Sequence, residues 1–121
     1  MGKYSVKEAK TGPMFNLKAG NGEIILTSEV YSGKSACLNG IESVKNNAPI
    51  ANVEDQTVEG FAKQKCPKFE LYKDKKGEFR FRLNASNGQT VGVSEGYASK
   101  SGALNGIESV KKNSGSETVF E

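Results

Sequence analysis

The chain has 121 residues, enough for one compact unit with a core of modest size. Hydrophobic residues make up 36% and charged residues 26%, with 14 glycines, a balance that suits a turn-rich, one-sided sheet and excludes a disordered chain. Net charge is +3 but uneven, with six Lys against seven acids in residues 1–60 and eleven Lys and Arg against seven acids in residues 61–121. That bias permits a polyanion partner yet falls short of the dense basic footprint of a dedicated nucleic-acid binder.

The opening "MGKYSVKEAK" has no apolar run, so neither a signal peptide nor a membrane span is expected, and a cytoplasmic location follows. Val6 stands where a myristoylation signal needs Ser or Thr. Cys37 and Cys66 form no C-x-x-C pair and match no zinc spacing, so they read as free thiols in a reducing compartment. No cofactor and no metal is expected.

The chain is written twice. "FNLKAGNGEIILTSEVYSGKSACLNGIESVKNN" starts at Phe15 and "FRLNASNGQTVGVSEGYASKSGALNGIESVKKN" at Phe81, without a gap to Asn47 and Asn113. Continued at the same offset, Val53 falls on Val119. Upstream, "KYSVKEAKTGPMF" matches "KFELYKDKKGEFRF" if one residue is dropped near Met14. The expected organisation is a single domain over 1–121, with repeat one at 3–53, a linker at 54–67 and repeat two at 68–121.

Each copy reads as strands, then a helix, then a strand. Phe69 and Leu71 alternate with Glu70 and Tyr72, and "DKKG" at 74–77 is a hairpin turn whose glycine can take positive φ. Phe79, Phe81 and Leu83 then face one way while Arg80, Arg82 and Asn84 face the other. "SNG" at 86–88 turns the chain again, and Val91 and Val93 are expected to continue the buried side. Gly33 and Ser99 suit helix N-caps. Cys37, Ile41 and Val44, and likewise Ala103, Ile107 and Val110, form apolar stripes that Leu38 and Leu104 widen. Asn46, Asn47 and Asn113 read as left-handed terminators, with Pro49 and Gly115 just beyond. Gly40 and Gly106 sit mid-helix, where glycine costs about 1 kcal/mol against alanine, and so mark close-approach points. One helix over three strands is marginal alone, so two copies sharing a sheet, with both helices on one face, give an α+β class with pseudo-twofold symmetry.

The pattern F-x-L-x-A-x-N-G, then S-E-x-Y, then K-S-x-x-x-N-G-I-E-S-V-K-x-N resembles the small bacterial YegP-like family of unknown function, over nearly the whole chain and in both copies. That resemblance implies two tandem β3-αβ repeats forming one mostly antiparallel sheet with exchanged C-terminal strands, near Ala51–Asp55 and Glu117–Glu121. It brings no activity and no catalytic residues.

Several segments invite a functional reading. Gly33-Lys34-Ser35 ends like a phosphate-binding loop, but Ser28 stands where the loop's first glycine belongs, and the second copy has Ser99-Lys100-Ser101. What survives is anion contact at two helix starts, through Lys34, Ser35, Lys100 and Ser101, beside the plainer reading of ordinary capped helices with solvated lysines. "KGEFRFRL" at 76–83 is similar to an RNA-recognition strand with its register off by one, which makes its Phe residues core and leaves Arg80 and Arg82 on the open face as further anion candidates. Ser28-Glu29 with Tyr31, and Ser94-Glu95 with Tyr97, read as hydrogen-bonded turns under a packed tyrosine, since a chain without histidine lacks the commonest activating base. Ile24 and Leu26, matched in copy two by Thr90 and Gly92, are expected to form an apolar protein-contact spot on the open face, or to be covered by Val58 and Phe61 of the linker.

The expected function is therefore a small non-enzymatic protein-interaction or accessory module. The alternative is a weak polyanion binder, for single-stranded nucleic acid or phosphate, using the basic second-repeat face and the helix N-termini. Both expect a monomer, because the chain carries both halves of its own sheet.

Overall fold

The computed structural model describes residues 2–121. In chain order the elements are β1 (Lys3–Ala9), β2 (Gly12–Lys18), β3 (Ile24–Thr27), α1 (Lys34–Asn47), a 3₁₀ turn (Ala48–Ile50), β4 (Asn52–Asp55), β5 (Lys68–Lys73), β6 (Phe79–Asn84), β7 (Thr90–Val93), α2 (Lys100–Asn113) and β8 (Thr118–Phe120). The eight strands make one sheet in the order β4-β5-β6-β7-β3-β2-β1-β8. Two antiparallel three-stranded meanders meet where Thr27 pairs with Val93. The strand after each helix crosses to the other repeat: β4 lies parallel to β5, and β8 parallel to β1. The sheet is α+β in class, with exchanged outer strands.

Alternation explains which side is dry. Tyr4, Val6, Phe15, Leu17, Phe69, Leu71, Phe81 and Leu83 all point to one face and are buried under the helices. Helix α1 packs against β2 and β7, while α2 packs against β6 and β3, so each helix spans the central seam. The stripes Cys37, Ile41, Val44 and Ala103, Ile107, Val110 are buried, as their spacing predicts, and Leu38 is half-buried. Leu104 is not part of the stripe, because its position on α2 turns outward and leaves it exposed.

Two details of register differ from the alternation read in the sequence. A bulge between Leu17 and Lys18 sets Leu26 opposite Leu17 and Thr27 opposite Asn16. The matching bulge between Leu83 and Asn84 sets Gly92 opposite Leu83 and Val93 opposite Arg82. One extra residue per strand, Ile25 or Val91, reverses the faces downstream of it. Leu26 therefore enters the core and Val93 lies on the open face.

The missing residue of the first hairpin lies in the turn, at Lys10-Thr11, rather than near Met14. Ala9 pairs with Gly12 there, whereas Lys73 pairs with Phe79 across a five-residue turn in which Gly77 takes φ 86°. The exchanged strands also slip by one. Val53 lies beside Phe69, and Thr118, not Val119, lies beside the equivalent Tyr4. The connector after α1 absorbs the difference through its 3₁₀ turn. Strand β4 runs to Asp55, two residues past the expected end of repeat one.

The asparagines at the helix ends are not left-handed terminators, and among the described residues no non-glycine residue has positive φ. Instead Asn47 Nδ2 donates back to the Ser43 carbonyl (2.7 Å) and Asn113 Nδ2 to the Ser109 carbonyl (2.8 Å), one turn earlier in each helix. Asn47 Oδ1 also accepts from the Ser86 backbone and hydroxyl, tying α1 to a turn of the other repeat.

Candidate functional site

The face away from the helices carries a groove of about 630 Å³ over the β3–β7 seam, lined by Thr27, Ser28, Glu29, Arg80, Thr90, Gly92, Val93, Ser94 and Glu95. It exists because the seam is short. Strands β3 and β7 have four residues each and share the single pair Thr27–Val93, so the chains part on either side of the pseudo-twofold axis.

Most polar side chains in this groove are already committed. The Thr27 and Thr90 hydroxyls donate to Asn16 Oδ1 and Asn84 Oδ1, both at 2.8 Å. Ser28 Oγ accepts from the Phe15 amide (2.9 Å) and donates to the Glu29 carbonyl (2.7 Å). Ser94 repeats both bonds with Phe81 and Glu95. Arg80 is held by Asp74 Oδ2 at 2.7 Å and donates to the Ser94 carbonyl. The Glu29 and Glu95 carboxylates are exposed, and among the described residues neither joins an ion pair or a side-chain hydrogen bond.

The Ser-Glu-x-Tyr segments are thus the hydrogen-bonded turns their composition suggests. Tyr31 stacks on Phe15 with ring centroids 6.3 Å apart, and Tyr97 on Phe81 at 6.2 Å. Burial, helped by the Glu29 carboxylate and by Cys37, pushes the Tyr31 phenol up to about 12. Burial and the carboxylates of Glu23 and Glu95 raise Tyr97 as well. Both phenols are therefore held in the protonated form near neutral pH. Burial also raises the Cys37 thiol, with a contribution from Glu8, which keeps it a protonated core residue.

The sequence-derived candidates are scattered. Lys34 and Ser35 are exposed at the start of α1, where Lys34 Nζ lies 4.3 Å from the centre of the Phe120 ring. Ser101 is exposed, and Lys100 is half-exposed with its Nζ 2.5 Å from Asp55 on the exchanged strand β4. Arg82 pairs with Glu70 and lies over the Tyr72 ring, 4.4 Å from its centre. Arg80, Arg82 and Lys100 are therefore each already paired with a carboxylate, Arg82 sharing Glu70 with Lys68.

Ile24 is half-buried on the open face beside Lys18, but Leu26 is 0% exposed and fills the space over Gly92 on the helix side, so the two form no shared spot. Val58 and Phe61 are exposed and are not a cover for Ile24. Val93, Gly92 and the two glutamates are the groove residues that alternation missed. Their signal was the Ser-Glu pair recurring in both copies with no basic residue three or four positions away.

At the far edge of the sheet, Glu54 is 1% exposed and accepts from Lys68 Nζ (2.8 Å), Gln56 Nε2 and the Gln64 amide. Burial alone would raise its pKa, but these donors outweigh it and hold the carboxyl at about 2. The bond to Gln64, with one from Asn52 to the Lys65 carbonyl, pins the connecting segment 56–67 along the outer edge of β4. Among the described residues no group of three His, Cys, Asp or Glu could hold a metal ion, and no helix is long and apolar enough to cross a membrane.

Fold and groove define a class: a tandem-repeat α+β domain with exchanged outer strands and a shallow groove on its pseudo-twofold axis. The chain belongs to the family described as a domain of unknown function, DUF1508, which matches it at residues 9–55 and 74–121. It is 44% identical to UPF0339 protein YegP of Yersinia pestis, over 100% of this chain and 95% of that protein. A UPF0339 protein of Pseudomonas aeruginosa is also 44% identical, over 91% of this chain and 87% of that one. Two solution NMR structures share the fold. One is yegP from E. coli, a protein of unknown function (TM-score 0.78, 37% identity, 98% of this chain and 90% of that one). The other is a UPF0339 protein from Shewanella oneidensis (TM-score 0.77, 36% identity, 98% and 92%).

Proposed function

We propose that the protein is a non-enzymatic interaction module that takes up a segment of a protein partner on the open face of its sheet, in the groove over β3 and β7. The observation that carries this reading is the state of the groove's side chains. Hydroxyls and arginine are spent on internal hydrogen bonds, which leaves a surface of fixed shape without a nucleophile–base pair. Such a surface recognises and does not transform. The polyanion alternative has weaker support, since Arg80, Arg82 and Lys100 would each have to abandon a carboxylate to meet a phosphate. The module acts as a monomer, because exchange of β4 and β8 closes the two repeats on each other within one chain.

The test is an amide-resolved NMR titration with a pool of short peptides and, separately, with a mixed-sequence single-stranded oligonucleotide at low and moderate salt. Shifts at Thr27, Gly92 and Val93 with peptides support the reading. Oligonucleotide shifts at Arg80, Arg82, Lys34 or Lys100 that collapse as salt rises would replace it with the polyanion reading.

A further inference from the structure

We infer that the segment taken up is basic: an extended stretch in which lysine or arginine alternates with small apolar residues. This rests on the groove being a protein-binding surface and adds the chemistry of its occupant. Thr27 and Thr90 have their hydroxyls turned to asparagines, so with Val93 and Gly92 they leave mainly carbon facing the groove. Ser28 and Ser94 are spent on the backbone of β2, β6 and their own turns. What remains uncompensated is a pair of carboxylates, Glu29 and Glu95, related by the pseudo-twofold and so placed on opposite sides of the seam.

An acidic or phosphate-bearing ligand laid across that seam meets two like charges and an arginine that is already neutralised. A basic ligand gains both carboxylates and displaces nothing. The floor offers an apolar strip, which suits side chains spaced two apart on an extended chain. Charge complementarity of this kind also sets its own signature, because exposed pairs are screened within about 8–10 Å at physiological salt.

The experiment uses the full chain and three capped hexapeptides: alternating lysine and valine, glutamate and valine, and serine and valine. The lysine peptide is expected to shift the amides of Thr27, Gly92 and Val93, and to weaken as salt is raised. The double variant Glu29→Gln, Glu95→Gln, altered at two exposed positions, is expected to keep its spectrum and bind the lysine peptide about five- to tenfold more weakly. If the serine or glutamate peptide binds the groove as tightly, the charge inference is overturned while the docking reading stands. If all three leave the groove amides unmoved at millimolar concentration, both are wrong. Spermidine is the last control. Equal affinity for this free polyamine would show that the carboxylates merely collect cations, and would overturn a protein segment as the occupant.

Discussion

The hydroxyl of Tyr31 lies against the backbone of Gly40, and the Phe15 ring closes the same spot from below. Tyr97, Gly106 and Phe81 repeat this arrangement in the second half. Both helices thus carry a glycine where a strand-to-helix tyrosine needs room. The sequence marked these positions as close approaches, and the neighbours are a tyrosine from the preceding turn and a phenylalanine of the sheet. Gly40→Ala should gain about 1 kcal/mol in helix propensity and lose about 1–3 kcal/mol to overpacking, for net destabilisation. Removing the hydroxyl with Tyr31→Phe should recover most of the loss in the double variant. Urea denaturation of the four chains decides it, and an alanine that stabilises on its own would show that the tyrosine moves aside freely.

Ser28 and Ser94 each give one hydroxyl to two backbone groups, closing the end of the seam from both sides. Replacement by alanine leaves the Phe15 or Phe81 amide unpartnered, a cost of about 1–3 kcal/mol for each buried site. Ser35→Ala and Ser101→Ala, at exposed helix positions, should change stability by less than about 0.5 kcal/mol. Equal effects at all four sites would contradict the account of the turns.

Leu26 and Ile24 separate the observed register from the alternating one. With Leu26 wholly buried over Gly92, Leu26→Ala should cost about 2–5 kcal/mol, whereas half-buried Ile24→Ala should cost clearly less, about 1 kcal/mol. Similar small losses at both positions would place Leu26 on the open face after all.

Glu54 links stability to pH. Its folded carboxyl sits at about 2, below the ordinary value near 4.3, so folding is favoured by its ionised form. That contribution is complete above about pH 4.3 and is lost as pH falls towards 2. Glu70, Asp55 and Asp74 are lowered as well, each despite some burial, by Arg82 and Lys68, by Lys100 and Thr57, and by Arg80. A Glu54→Gln variant should therefore show a shallower, not a flat, fall in denaturation midpoint between about pH 4.5 and 2. An unchanged slope would remove Glu54 from the linkage.

Much of the fold was legible because it rests on short-range rules. The recurrence of Phe15-to-Asn47 at Phe81-to-Asn113 shows two equivalent units, and a period of two followed by a period near four assigns strands and then a helix. The aromatic and aliphatic residues on those periods, from Phe15 to Val110, make the core. The glycine turns at Gly77 and Gly88 follow from residue type alone, since both take φ 86°. The groove was not legible. A bulge adds one residue to one strand without changing its composition, yet it moves Leu26 inward and Val93 outward, because side-chain direction alternates with every residue. Nor can spacing along the chain pair Arg82 with Glu70 or Lys100 with Asp55, since both pairs form across neighbouring or exchanged elements. Sequence by itself determined the duplicated halves and their dry face through local periodicity. Only the tertiary structure decided which charges are spent and that, among the described residues, the two carboxylates at the groove, Glu29 and Glu95, remain without an ion pair, because that depends on distances between strands far apart in the chain.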